Sequence, residues 1–447
     1  FIYNNTLRNS KSVKWVVDFN DVSFQYYDGS PCLNFNNNVT LNCEGRNGKF
    51  IIPETRGKYL IFDNKWEGIG GVVDWESVGL SKDSTFAFLT TYQIDIRKLE
   101  FRADSVEFYN LSLFDNKIYG QLSNKVSSEK NIKKFPRFKS YRKDLIINDI
   151  LSDVDYRGGY TLQGSEFIAD GSKNGLAQII FKKEGKDIFI ANSSRFSIKD
   201  NSIYSKSASI NIYFDNDSIY HPSLQFNYDD SKRNVTLYRD RKGISGSPIY
   251  SSYHQLTMDA ELLEWQIDED QIYLGSLPTT SESNVYFSST ASYSDNIFQS
   301  LRGIDQENPL MAIMRFIEVY EKSQFKSAEF ASFIGYAAVQ VEHYLINLAN
   351  KGFLFYDINK NEVTVQQKLY NYVNAKLQRN DYDVIDFKSK VKKSIDNNMV
   401  INSSLDLSTK DLNILGVDNI SISDSQLVYI RPNEGKLSVK KNRDFNF

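Results

Sequence analysis

Few side chains of this 447-residue chain could do chemistry. There are three histidines, His221, His254 and His343, and two cysteines, Cys32 and Cys43. A histidine is the ordinary proton acceptor near neutral pH and a common metal ligand. The spacings suit neither task. No histidine pair stands at an H-x3-H interval, no EF-hand loop occurs, and the cysteines form C-x10-C with no histidine nearby. The residues between them, LNFNNNVTLN, read as strand, Asn-rich turn and strand. A hairpin centred on Asn37 and Asn38 would set the two sulfurs on opposite strands, within reach of a disulfide; the alternative is two reduced, half-buried thiols. The carboxylate pairs Glu261/Glu264 and Asp268/Asp270 have the types needed for acid–base work on a glycan, yet sit in acidic turn sequence and read as solvated turns. Gly68, Gly70 and Gly71 match neither a phosphate loop nor a dinucleotide fingerprint. Lying between Trp66 and Trp75, they mark a bulge or corner over which a Trp packs. No metal or cofactor is expected.

Residues 125–144, KVSSEKNIKKFPRFKSYRKD, hold eight basic and two acidic residues, with Phe135, Phe138 and Tyr141 interleaved. Cations among aromatics suit lipid phosphate, glycan or RNA, and make Lys133, Lys134, Arg137, Lys139, Arg142 and Lys143 the candidate contacts to a polyanion. The same composition suits a solvated linker or the lysines that guard an edge strand, and the segment is expected to be a boundary of that kind. Further on, GISGSP (243–248) resembles the nucleophile motif G-x-S-G-[GS]-P of chymotrypsin-like and glutamyl-endopeptidase serine proteases. The resemblance implies Ser245 as nucleophile, with the following backbone N–H groups as oxyanion hole. Such a serine needs an imidazole, and in that family histidine comes well upstream, then aspartate. Here only His221 precedes Ser245, by 24 residues and in no family-like context. The motif is therefore expected to be a Gly-Ser-Pro turn, and the chain is expected not to be an enzyme.

The elements that must position these residues are mostly strands. Aromatic residues make up 14% of the chain and its net charge is only −3, which excludes general disorder and gives no global attraction to nucleic acid or anionic membrane. From residue 11 to about 300, β-branched and aromatic residues alternate with polar ones in short runs, as in TFAFLTTYQIDI (85–96), LEFRA (99–103), INIYF (210–214) and NVTLY (234–238). Asp- and Asn-rich turns separate them. DNSIY (200–204), NDSIY (216–220) and DQIY (270–273) form a weak repeat, which predicts either stacked solenoid-like rungs or an antiparallel meander. LTMDAELLEWQIDEDQIYL (256–274) and LQFNYDDSKRNVTL (224–237) resemble the repeat unit of OstA-like lipopolysaccharide-transport proteins: a strand, an acidic turn, a second strand. That resemblance covers about 158–277 and 394–440 and implies an open, groove-bearing β-jelly roll.

Composition changes near Asn308. Apolar residues recur at helical spacing to about Ser323. Ser327 is a candidate N-cap for AEFASFIGY, Gly335 a turn, Ala337–Asn350 a long helix stopped by Gly352, and FLFYD with EVTV a two-stranded wing before a helix over Gln366–Leu377. This order resembles a winged helix-turn-helix. Its second helix contains no Lys or Arg, and residues 308–379 hold eight basic against six acidic residues, so DNA binding is not expected and a structural or protein-binding role is.

The expected fold is mainly β: an elongated β-jelly roll or solenoid-like sheets with an inserted winged-helix unit. The expected divisions are a β domain to 124, a basic linker over 125–145, an OstA-like region over 146–305, the helical unit over 306–380, and a β region over 381–447 continuing the framework, its strands resuming near Met399. The start at Phe1, without an apolar signal core, reads as a piece of a longer protein, and no apolar run is long enough for a membrane helix. Together these features predict a non-catalytic scaffold of an extracytoplasmic envelope assembly, partnered by other subunits and by lipid or lipopolysaccharide. The competing reading is a glycan-binding or glycan-degrading parallel β-helix.

Overall fold

A strand turns successive side chains to opposite faces, and the burial in this chain follows that rule. In Arg137–Ser140, Phe138 and Ser140 are buried while Arg137 and Lys139 are exposed. Glu100–Asn110 records what a bulge does to the pattern. Phe101 and Ala103 point inward, the register breaks at Asp104 and Ser105, and then Val106, Phe108 and Asn110 point inward. Ser105 takes a φ of 57° to make the step, and the inward parity changes from odd to even.

The computed structural model describes residues 2–6, 12–17, 21–46, 48–126, 134–171, 175–199, 201–240, 243–277, 282–301, 307–357, 360–393, 399–423 and 428–446. The chain is mainly β and divides into two compact units, residues 1–179 with 194–200 and residues 180–193 with 201–447. Every pairing between described strands is antiparallel where its direction is resolved. No described helix is long and apolar enough to cross a membrane.

In unit one, Ser30–Gly45 and Gly48–Leu60 pair along their length with register shifts between Phe35 and Leu41, so their halves join different neighbours. The Leu41–Gly45 half pairs with Ser12–Val17 and the Ser30–Phe35 half with Val22–Tyr27. Gly48–Leu60 pairs with Lys65–Gly70, and that strand with Thr91–Asp95. The sheet continues through Glu100–Asn110, Ile118–Lys125 and Arg137–Ser140 to Val154–Gln163. Trp15, Trp66, Trp75, Phe108 and Tyr160 fill the interior. Gly70 and Gly71, with φ of 72° and 121°, make the corner between Lys65–Gly70 and Val72–Asp74.

Two expectations are corrected in this unit. Residues 30–45 form one strand, with no hairpin turn at Asn37–Asn38, because pairing with Gly48–Leu60 overrides the local turn preference of the Asn run. Cys32 and Cys43 lie eleven positions apart on that strand, on the order of 30 Å by strand rise, and both thiols are free and buried. Nor is the basic segment a linker throughout. Arg137–Ser140 is a strand inside the sheet, held by Phe138 stacking on Phe108 at 4.2 Å, and the units divide at Ile179/Ile180. Residues 127–133 lie outside the described residues.

In unit two, Ser202–Phe214 and Asp217–Asp229 form a hairpin of two 13-residue strands whose register shifts near Ser205 and Ala208. The two ends of Asp217–Asp229 lead into different branches of one sheet. Its Ile219–Tyr220 end leads through Ile249–Ser251, Leu256–Met258 and Glu282–Ser289 to Asp386–Lys392. Its Gln225–Asp229 end leads through Asn234–Tyr238, Leu262–Gln266, Gln271–Ser276 and Val400–Asp406 to Leu412–Ile414. The Ile-Tyr repeats do not stack as rungs. Tyr204 pairs with Asn227, Tyr220 with Asn211 and Tyr238 with Gln225, so the antiparallel meander is the arrangement adopted and a parallel β-helix is not.

The helices enter between two strands that pair with each other, Glu282–Ser289 and Asp386–Lys392. They are α1 (Asp295–Ser300), α2 (Pro309–Tyr320), α3 (Ser327–Ile334), α4 (Ala338–Asn350) and α5 (Gln367–Lys376). A three-stranded sheet of Gln324–Lys326, Glu362–Val365 and Leu354–Asp357 accompanies them. Asn308 caps α2 by accepting the Leu310 N–H, while Gly335, at φ 76°, ends α3. Ser327 is the first residue of α3, with Lys326 at the cap position and the Glu329 carboxylate accepting the Lys326 N–H. Leu310, Ile313, Phe316, Phe330, Val341 and Leu345 build the core of this helical module. The β framework resumes at Asp386, earlier than Met399, because the returning strand completes the sheet edge left by Glu282–Ser289.

Candidate functional site

The GISGSP segment folds as a short 3-10 turn, Gly243–Gly246, leading into Ile249–Ser251. The Ser245 hydroxyl meets the Ser223 hydroxyl at 3.2 Å. His221 is fully buried, and both ring nitrogens are committed to backbone. Nδ1 accepts the Ser223 N–H at 3.0 Å and Nε2 donates to the Ser247 carbonyl at 2.8 Å. Burial pushes the imidazole down to about 3, so protonation is disfavoured at physiological pH. The His221–Ser245 pairing that the protease resemblance would require is not formed; His221 instead orders the Ser223 and Ser247 backbones. His254 is bound similarly, by the Ser251 hydroxyl at 2.7 Å and the Lys410 carbonyl at 2.9 Å, and burial lowers it too. His343 is exposed on α4. Among the described residues, no group of three or more His, Cys, Asp or Glu could hold a metal ion.

Beside this turn lies a cavity of about 400 Å³ where the helical module meets its β framework. Arg239, 1% exposed, enters from the β side; its guanidinium donates to the Ser247 carbonyl at 3.0 Å and pairs with Asp259. Lys368 of α5 and Asp386 of the returning strand also line the cavity. Desolvation pushes the Lys368 ammonium down to about 8, with Asp386 opposing it, and desolvation raises the Asp386 carboxyl against the pull of Lys368. An amine with that pKa could exchange protons near neutrality. Here, however, its Nζ donates to the Lys351 carbonyl at 3.1 Å, the acceptor left over at the end of α4. The contact ties α5 to the end of α4. Neither Lys368 nor Asp386 carries a sequence signal, since only the insertion brings α5 and the returning strand together.

The module offers a second candidate surface. Gln340, His343 and Asn347 are exposed and Glu342 is half-buried, while Val339 is 67% exposed. The C-terminal end of α4 approaches the Gly243–Gly246 turn, Asn350 lying beside Gly246. Phe355 of Leu354–Asp357 packs on Tyr220 with ring centroids 4.3 Å apart. One face of the module is thus seated on β structure and the first turns of α4 face outward.

The six basic residues proposed as polyanion contacts separate. Lys133 lies outside the described residues, and Lys134 is exposed. Arg137 and Lys139 share the outer face of one strand. Arg142 is paired with Asp144 through contacts of 3.1 and 3.3 Å. Lys143 turns inward against Gly159, its Nζ buried and without a hydrogen-bond partner among the described residues; desolvation lowers its pKa. In comparisons with known proteins, no family model, no curated protein and no solved structure matches the chain.

Proposed function

We propose that the chain is a non-catalytic scaffold subunit of a larger cell-envelope assembly, in which the helical module, read as a winged helix, docks a partner protein. The observation that carries this reading is the mounting of the module. Both of its ends join adjacent paired strands, Glu282–Ser289 and Asp386–Lys392, and the contact of Phe355 with Tyr220 seats it on β structure. A unit mounted in this way presents a fixed face. The exposed part of α4 has no cation, and the cations around it are largely paired. Arg315 meets Glu307 at 3.1 Å, Lys326 meets Glu362 at 3.2 Å, and Lys376 meets Asp295 at 2.7 Å. Phosphate contacts supply most of the non-specific affinity for nucleic acid, so this charge pattern favours a protein partner over DNA. The envelope setting is supported by the OstA-like pattern, whose strands Leu262–Gln266 and Gln271–Ser276 pair across the acidic turn.

The test has two arms on the full chain. A photo-crosslinking residue at position 339, expressed in the source cells, should give one discrete adduct with an envelope protein; a cytosolic adduct or none overturns the reading. Anisotropy with random duplex DNA at low salt should detect no strongly salt-dependent binding. Submillimolar binding that is lost on Gln340→Glu or Asn347→Glu substitution would replace it with a nucleic-acid function.

A further inference from the structure

We infer that the outer sheet face of unit one carries a groove for a linear, acidic polysaccharide. Six outward residues stand side by side on six consecutive strands: Lys58, Glu67, Gln93, Arg102, Ser123 and Arg137. Each is the direct cross-strand partner of the next. Adjacent strands are about 4.8 Å apart, so the five steps span roughly 24 Å, and a pyranoside chain advancing about 5 Å per unit would keep pace with the ladder. Two cavities lie along this row, of about 520 and 620 Å³, and Gln93 lines both. They follow the direction across the strands that a polymer would take.

The chemistry of the row changes along its length. At one end, Glu67 bridges Lys58 at 3.2 Å and the Gln93 amide at 3.0 Å, an arrangement of donors and acceptors suited to sugar hydroxyls. The Lys58 ammonium lies 3.0 Å from the centre of the Tyr27 ring, which fixes that side chain beside the cavity. At the other end, five cations line the larger cavity against two carboxylates, Asp95 and Glu100. Lys125 is paired with Glu100 at 3.0 Å, and Lys98 reaches Asp95 at 3.9 Å. Arg102 only grazes Asp104, at 3.8 Å with both side chains about two-thirds exposed. No carboxylate among the described residues pairs with Lys65 or Arg137. Such unpaired cations beside neutral hydrogen-bonding groups complement a chain that carries both carboxylates and hydroxyls. Arginine forks suit a carboxylate in particular. A nucleic acid would be expected to require more cations and exposed aromatic faces for its bases.

The experiment measures binding of the full chain to oligogalacturonates of two to eight units, with dextran as the neutral probe and oligo-dT as the phosphate probe. Affinity for the oligogalacturonates should rise with length and level off near five or six units. Dextran should bind at least tenfold more weakly. Arg102→Glu combined with Arg137→Glu should lower oligogalacturonate affinity at least tenfold, and Gln93→Ala severalfold. Arg142→Ala, at a cation already paired to Asp144, should leave it within twofold. Thermal unfolding of each variant separates lost binding from lost folding, and Gln93→Ala supplies a charge-neutral alternative if the double reversal fails to fold. The proposal is overturned if oligo-dT binds as tightly as oligogalacturonate, if dextran does, or if no probe binds. None of these outcomes bears on the partner-docking role of α4.

Discussion

In the helical module Lys326 lies 3.2 Å from Glu362 and Lys376 lies 2.7 Å from Asp295, whereas on the outer face of unit one Lys65 and Arg137 face a cavity without a paired carboxylate. Both regions are moderately basic by count. Their difference is where the carboxylates fall. In the module, turns and helix ends bring acids to the cations, and the surface is left nearly neutral. On the sheet, cross-strand register places Arg102 opposite Ser123 and Ser123 opposite Arg137, so these two arginines meet a hydroxyl, while Lys58 and Lys125 meet Glu67 and Glu100. Charge composition over a window therefore says little about a binding surface until the register is known.

The comparison is sharpened first by testing whether the module stands on its core and not on its ion pairs. Leu345 is fully buried there, and Leu345→Ala should destabilise the module by about 2–5 kcal/mol, read by chemical denaturation with a probe in α4. A loss below about 1 kcal/mol would mean that surface pairing holds the module instead.

A smaller effect concerns His221, buried in the β framework beside the Gly243–Gly246 turn. His221 titrates at about 3 when folded, below its ordinary value of 6.5, so the unfolded chain takes up the proton first. Its contribution to stability is complete above pH 6.5 and is lost as pH falls toward 3, at up to roughly 1.4 kcal/mol per pH unit. His254 acts in the same direction. Unfolding free energies measured from pH 7 to pH 4 should fall less steeply in His221→Gln, whose amide can offer one acceptor and one donor. An unchanged slope would show that the imidazole is not protected.

The smallest effect is that of the module's surface pairs. A double-mutant cycle on Lys326 and Glu362, whose side chains are 51% and 23% exposed, should return a coupling of about 0.2–1 kcal/mol that shrinks with salt. A salt-insensitive coupling of several kcal/mol would break the contrast, because the pair would then be a structural bond and not a neutralised surface.

Much of the architecture is readable before folding. Alternation marks the strands at Ile210–Phe214 and Asn234–Tyr238, and Asn308, Gly335 and Gly352 mark helix boundaries, because these signals act within a few residues. The candidate sites are less readable. GISGSP shows residue types without showing that His221 is bound at both nitrogens to backbone. The Asn run at 36–38 shows a turn preference without showing that Gly48–Leu60 pairs across it. Lys143 carries the same charge as Arg137, yet one points inward and the other outward.

The sequence by itself determined that the chain is mainly β, where α2 to α5 lie, and that α4 lacks cations, while α1 falls in a stretch it read as strand. Those properties follow from side-chain type and short-range periodicity, which the chain carries in any conformation. Only the tertiary structure decided that Cys32 and Cys43 cannot meet, that Lys368 reaches the end of α4, and that Lys58 through Arg137 form one row. Each depends on which strand pairs with which, and in what register. A slip of one residue turns every side chain of a strand to the other face, so long-range pairing sets the chemistry of the surface.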